Sequence, residues 1–121
     1  MREIKFRLWD GVINKMILWE QIRKERFANI EKQSNLYLMQ YTGLKDKNGK
    51  EIYEGDIVLI VGQLVAEIFF DIYEGVKIKY HYENIRTKIS GKMIEPIARN
   101  HHFTHEVIGN IYENLELLNQ K

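Results

Sequence analysis

The residues whose types and spacing could do chemistry fall in a few places. His101, His102, His105 and Glu106 stand together as H-H-x-x-H-E. On a helix, His101 and His105 would share a face at i,i+4, as a zinc site needs. The glutamate, however, does not lie between the two histidines, as the helical zinc motif requires. The segment also follows Pro96 and precedes a strand, so the expectation is a polar loop, with no metal and no cofactor. Glu51, Glu54 and Asp56 could offer oxygen ligands to a cation. Their spacing matches no calcium loop, and Asp56 is expected instead to accept backbone N–H groups at a bend. Lys77, Lys79 and His81 line one face of a strand, with Arg86 and Lys88 nearby and Tyr73, Tyr80 and Tyr82 interleaved. Basic groups tracking a backbone beside aromatic platforms are how small barrels hold single-stranded nucleic acid. The plainer reading is a solvated strand face with its tyrosines packed inward.

Other chemistries find no support in the pattern. There are no cysteines, which removes disulfides and thiol catalysis. Ser34 and Ser90 sit in no nucleophile elbow, and Gly43 and Gly49 form no phosphate cradle. No catalytic residue is assigned, although sites assembled in space leave no linear trace. The 18 basic and 17 acidic residues give a net charge of +1. That balance argues against a protein whose main task is coating nucleic acid, because phosphate neutralisation needs a surplus of Lys and Arg. The segment Arg2 to Asp10 has no apolar core of a signal peptide, and no apolar run reaches the ~18 residues that span a bilayer. A cytoplasmic protein without membrane contact is expected. Trp9 and Trp19 flank a predicted hairpin, and either would anchor an interface if exposed.

The elements that must position these residues are mostly strands. The 121 residues fit one domain over 1–121. Glu3 to Trp9 alternates, with Ile4, Phe6 and Leu8 against Glu3, Lys5 and Arg7, the period of a half-buried strand. Asp10-Gly11 marks a turn, and Met16 to Trp19 closes a hairpin. Trp19, Ile22, Phe27 and Ile30 share an arc at helical spacing, so an amphipathic helix is predicted over Glu20 to Lys32. Leu36 to Tyr41 is strand-like. Asp46-Lys47-Asn48-Gly49 follows, in which Asn-Gly tolerates the positive φ of a tight hairpin. After the Gly55-Asp56 bend come strands at Ile57–Val61, Leu64–Asp71 and Val76–Tyr82, a meander that curls into a small barrel. Asn84 to His102 reads as an irregular excursion, because Gly91 and Pro96 break any helix. Glu106 to Tyr112 is a last strand. Asn114 is expected to cap a short terminal helix docked by Leu115, Leu117 and Leu118. The fold class is therefore α+β and β-dominated: a small SH3-like barrel or curled antiparallel sheet, with an N-terminal hairpin, one amphipathic helix and a short C-terminal helix.

Three stretches carry a resemblance. R-E-I-K-F-R-L-W-D at Arg2 to Asp10, L-M-Q-Y-T-G-L-K-D-K-N-G-K-E-I-Y-E-G-D-I-V at Leu38 to Val58, and V-I-G-N-I-Y-E-N-L-E-L-L at Val107 to Leu118 resemble the opening, central and closing blocks of the YopX family of phage and prophage proteins. Together they cover about a third of the chain, in family order. Members often read N-P-E-L-L at the end. Leu115 stands here in place of that proline, which is only pre-organised for a first helical position. The resemblance implies a phage- or prophage-encoded homo-oligomer of no established activity, and it hands over no catalytic residues. The first expectation is thus a non-catalytic accessory protein that binds a phage or host protein, or itself, in the host cytoplasm. The second is a nucleic-acid binder using the Lys77 face. A metal-dependent enzyme at the histidines comes third.

Overall fold

Strands β1 (Phe6–Asp10) and β2 (Lys15–Ile17) form an antiparallel hairpin in which Leu8 faces Ile17. The Asp10 side chain closes the turn, its Oδ1 accepting the Val12 N–H at 2.9 Å, and Asn14 takes a positive φ of 53°. Asn tolerates that conformation better than most residues. The structure, a computed structural model, describes residues 3–24, 35–60, 64–71, 75–84, 89–96 and 105–119. Helix α1 (Trp19–Lys24) begins where the hairpin ends and packs against β1. Trp19 thus opens the helix rather than closing the strand. The predicted helix beyond Lys24 lies outside the described residues.

Strand β3 (Leu36–Lys45) pairs with β1, and β4 (Glu51–Tyr53) pairs with β3, giving a four-stranded sheet in the order β2-β1-β3-β4. The alternation in β1 suggests a solvent-facing Arg7. The structure buries it, because both faces of β1 are covered. Strands β5 (Asp56–Ile60), β6 (Leu64–Asp71), β7 (Gly75–Asn84), β8 (Ile89–Pro96) and β9 (His105–Asn110) form a five-stranded sheet in the order β8-β7-β6-β5-β9. The fold is a β-dominated, curled antiparallel arrangement with few helical residues.

Strand β8 is a correction to the irregular excursion. Gly91 and Pro96 argue against a helix, but both are tolerated in a strand at the edge of a sheet, and β8 pairs along its length with β7. A 3-10 helix at Leu115–Asn119 follows β9 and packs by β6. Its entry also differs from expectation. The Asn114 side chain reaches back to accept the Asn110 N–H at 3.2 Å, while Asn110 accepts the N–H groups of Tyr112 and Glu113. Leu115 stays exposed rather than docking.

The core lies on one face of the larger sheet. Val58, Ala66, Ile68 and Ile78 cluster there with Ile52 of β4, and Leu44, Ile60, Val76 and Val107 pack around them. Each fully buried aliphatic side chain contributes about 1.5–3 kcal/mol. The strand β5 is covered on both faces over Ile57 and Val58, as its apolar run suggests.

The central turn has a different type from the one that Asn-Gly suggests. Gly49 takes a φ of 83°, but Asn48 does not have positive φ. Gly49 N–H donates to the Asp46 carbonyl at 3.0 Å, and Asp46 N–H donates to the Lys50 carbonyl at 2.7 Å. This is a type I turn followed by a left-handed glycine that forms a bulge. A Cβ at position 49 would meet nothing within 4 Å, so any cost of substitution there is backbone strain alone. Gly49→Val is expected to lose about 1–3 kcal/mol, read as a lower midpoint in urea unfolding. An unchanged midpoint would show that the turn relaxes freely into another form.

Candidate functional site

The carboxylates flagged around the central turn are each engaged separately. Glu51 pairs with Lys5, whose ammonium also stands 4.9 Å from the centre of the Tyr41 ring. The Glu51 hydrogen bond raises the Lys5 pKa above its usual value. Glu54 accepts the Gln40 N–H at 3.3 Å. Asp56, at the start of β5, is almost wholly buried and accepts the Tyr53 N–H at 2.8 Å, as its place at a bend predicts. It also receives Arg7 Nη2 at 2.5 Å. These groups face different partners and do not converge as cation ligands. Among the described residues no group of His, Asp and Glu could hold a metal.

The Arg7–Asp56 pair joins the two sheets. Arg7 lies on β1 of the smaller sheet and Asp56 on β5 of the larger, and the guanidinium stands 4.8 Å from the centre of the Tyr53 ring. Burial pushes the Asp56 carboxyl up, against the pull of Arg7 and the Tyr53 N–H. Such a pair is worth little against an apolar replacement, but removing one partner leaves a buried charge and costs about 3–5 kcal/mol. Gly55, beside it, has a φ of 86° and donates its N–H to the Ile68 carbonyl at 2.8 Å. A Cβ there would sit 3.1 Å from Met39 Sδ, so the chain crosses between the sheets at a residue with no side chain.

Asp46 is a second buried carboxylate, and sequence reasoning passed over it. Its Oδ1 accepts the N–H groups of Asn48 and Lys50, each at 2.9 Å. Its Oδ2 accepts the Val107 N–H of β9 at 2.9 Å, across 61 residues of sequence. Beside it, Lys47 N–H donates to the His105 carbonyl at 2.9 Å. The turn thus closes itself and covers the outer edge of β9, where unpaired N–H and C=O groups would otherwise be exposed. The available signal was Asp at the first position of a turn ending in Gly, which favours a side chain that bonds its own backbone. Nothing in the linear pattern points to β9.

The remaining candidates are scattered. His105 is not in a loop: it is the first residue of β9, 1% exposed, and belongs to the interior. His101 and His102 lie outside the described residues, and Glu106 pairs with Lys47 at 3.7 Å. Lys79 pairs with Glu67 at 3.7 Å, and Lys77 sits across from Phe69. His81 continues the same strand, whereas Arg86 and Lys88 fall outside the described residues. Of the candidate interface tryptophans, Trp9 is corrected to a core residue. It is 7% exposed and stacked on Tyr112, with ring centres 5.8 Å apart, so no partner can reach it. Trp19 is half-buried against Phe6.

The three blocks of literal sequence now have a physical content. They supply β1 with Arg7, the turn with Asp46 and the bend with Asp56, and the closing turn around Asn110. A profile described as YopX protein matches residues 5–119. The chain belongs to the YopX family. No curated protein matches it at comparable significance. The fold is similar to that of protein EF1440 from Enterococcus faecalis, known from a crystal structure, with a TM-score of 0.55 and 22% sequence identity over 98% of this chain and 99% of that one. At that identity the likeness concerns the fold alone.

The titration of Asp46 yields a test. Burial pushes its pKa up, but the Val107, Lys50 and Asn48 N–H groups outweigh burial and leave it below the ordinary carboxylate value. A carboxyl depressed in the folded state stabilises the fold above its unfolded pKa, and that stability is lost as pH falls through the folded pKa. Asp46→Asn should therefore cost about 1–3 kcal/mol near pH 7. The gap to wild type should close as the pH drops below the ordinary carboxylate range, as read by urea unfolding at several pH values. A gap that stays constant with pH would contradict this.

Proposed function

We propose that this chain is a non-catalytic accessory protein of a phage or prophage, acting in the host cytoplasm by binding a protein partner or by self-assembly. The observation that carries this reading is where its exposed apolar residues lie. Val12 and Ile13, 70% and 61% exposed, form the tip of the first hairpin. The adjacent Gly11 N–H donates to the Asn35 carbonyl at 2.7 Å, which sets the tip beside the start of β3. There the part-exposed Tyr37 stacks on Tyr112 with ring centres 5.2 Å apart, and Leu115, 56% exposed, follows three residues later. The hairpin tip and the start of β3, with Tyr112 stacked on Tyr37, thus bring large apolar side chains to one end of the smaller sheet, while Ile4, Leu18 and Leu38 are exposed elsewhere. Exposed apolar patches of this type mark protein contacts more often than chance. Arg7, Asp46 and Asp56 are engaged in contacts that join the two sheets. The family resemblance to phage and prophage proteins supports the setting, and its implied oligomer supports self-assembly.

The test combines light scattering with affinity capture from phage-infected host cells under nuclease treatment. Wild type is expected to show a mass above the 14.5 kDa of one chain, or to retain a protein partner that survives nuclease. Ile13→Glu with Leu115→Glu should abolish either result while leaving the thermal midpoint within a few degrees, because both residues are exposed. A single-chain mass across a dilution series, with the same captured proteins for wild type and variant, would overturn the reading.

A further inference from the structure

The central turn carries the one asparagine of the chain that is followed by glycine, Asn48-Gly49. Such a pair can react with itself. The Gly49 backbone nitrogen attacks the carbonyl carbon of the Asn48 side chain, a succinimide ring closes, and ammonia leaves. Water then opens the ring at either carbonyl. One opening gives aspartate. The other gives isoaspartate, in which the main chain runs through the former side chain and gains a methylene. Every other asparagine precedes a residue whose side chain crowds the attacking nitrogen. At Asp10-Gly11, the matching acidic pair, an ionised carboxylate resists the attack.

The fold leaves room for the ring and restrains its closure at the nitrogen. Asn48 and Gly49 are both exposed, and a Cβ on Gly49 would meet nothing within 4 Å. The nitrogen itself is engaged, because its N–H donates to the Asp46 carbonyl at 3.0 Å. The N–H groups on either side of it in sequence, those of Asn48 and Lys50, donate to Asp46 Oδ1 at 2.9 Å each. Attack requires the Gly49 nitrogen to lose its proton, and a carboxylate bonded to both flanking N–H groups disfavours a second negative charge between them. We propose that Asn48 is a self-modification site, restrained while Asp46 holds the turn, and that its conversion to isoaspartate cuts the turn loose from β9. The added methylene falls between the Asn48 and Lys50 N–H groups, which in the intact turn meet a single oxygen. Those donors then no longer converge on Asp46. The same side chain holds the Val107 N–H with Oδ2 at 2.9 Å, so a turn that cannot close around Asp46 loses its hold on the last strand.

The experiment ages the full chain at neutral pH and physiological temperature. Peptide mass spectrometry follows the turn, and an isoaspartyl methyltransferase labels the isoaspartate. Conversion is expected in the folded protein, but about tenfold or more slower than in the chain unfolded in urea, because ring closure waits for the turn to open. Asp46→Ala should speed conversion in the folded state by about tenfold, the factor that a lost hydrogen bond to a charged group corresponds to. The isoaspartate form, separated by chromatography from the aspartate form, should exchange its Val107 amide about tenfold faster than wild type. Protection of the Ala66 amide, measured on every form, shows that the fold itself persists. Asn48→Asp brings the same new charge without the methylene, so it should keep Val107 as protected as in wild type. Three results would overturn the proposal: equal conversion rates in folded and unfolded chain, conversion in the unfolded chain alone, or an isoaspartate form whose Val107 amide is as protected as that of wild type.

Discussion

One carboxylate ties the central turn to the last strand of the fold. Asp46 closes its own turn by accepting the Asn48 and Lys50 N–H groups, and with its other oxygen it holds Val107 on the last strand. Without that acceptor the Val107 N–H on the edge of β9 would lose its partner, and the turn would hold the strand only through the Lys47 N–H bond to the His105 carbonyl and the Lys47–Glu106 pair. The geometry works because Gly49 takes a left-handed conformation that lets the turn curl around the side chain. A buried carboxylate is costly unless its lone pairs are satisfied by donors. Here three backbone N–H groups satisfy it, and the charge of Lys50 adds to their pull.

Asp56 solves a different problem ten positions on. It lies where the chain leaves the smaller sheet for the larger one, and it draws Arg7 inward from the first strand. The two aspartates lie within the longest stretch of family sequence, Leu38 to Val58, and both are buried. Through them that stretch joins the two sheets. Its side chains are spent on turns, bends and strand edges. The exposed apolar residues of the hairpin tip, Val12 and Ile13, lie elsewhere.

Much of this was legible in the sequence. Period-two alternation located β6 and β7, because one face of each is buried and the other is not. The apolar run at β5 announced a strand covered on both faces. Other features were not legible, for identifiable reasons. Arg7 reads as a surface residue because its compensating charge is 49 positions away, a distance that no local pattern reports. Strand β8 was hidden by Gly91 and Pro96, which rule out a helix but say nothing against an edge strand. His105 looked like part of a polar cluster, since His101 and His102 stand beside it in sequence, although it is itself wholly buried. Asn114 looked like a cap for the helix that follows. Its oxygen turns back to Asn110 because Gly109 leaves room: a Cβ on Gly109 would stand 2.5 Å from that oxygen. For Arg7, β8 and His105 a tertiary contact overrode a local preference; for Asn114 a competing local bond did.

The most direct test of this account is native-state hydrogen exchange at the Val107 amide, followed residue by residue in the wild-type protein. If Asp46 holds the last strand from the central turn, this N–H is locked by a buried acceptor. It should then exchange only when the whole fold opens, with a protection free energy equal to that of global unfolding. Exchange of Val107 at the rate of an exposed edge amide, while the Ala66 and Ile68 amides stay protected, would show that β9 opens independently, and that the Asp46 contact does not hold the last strand.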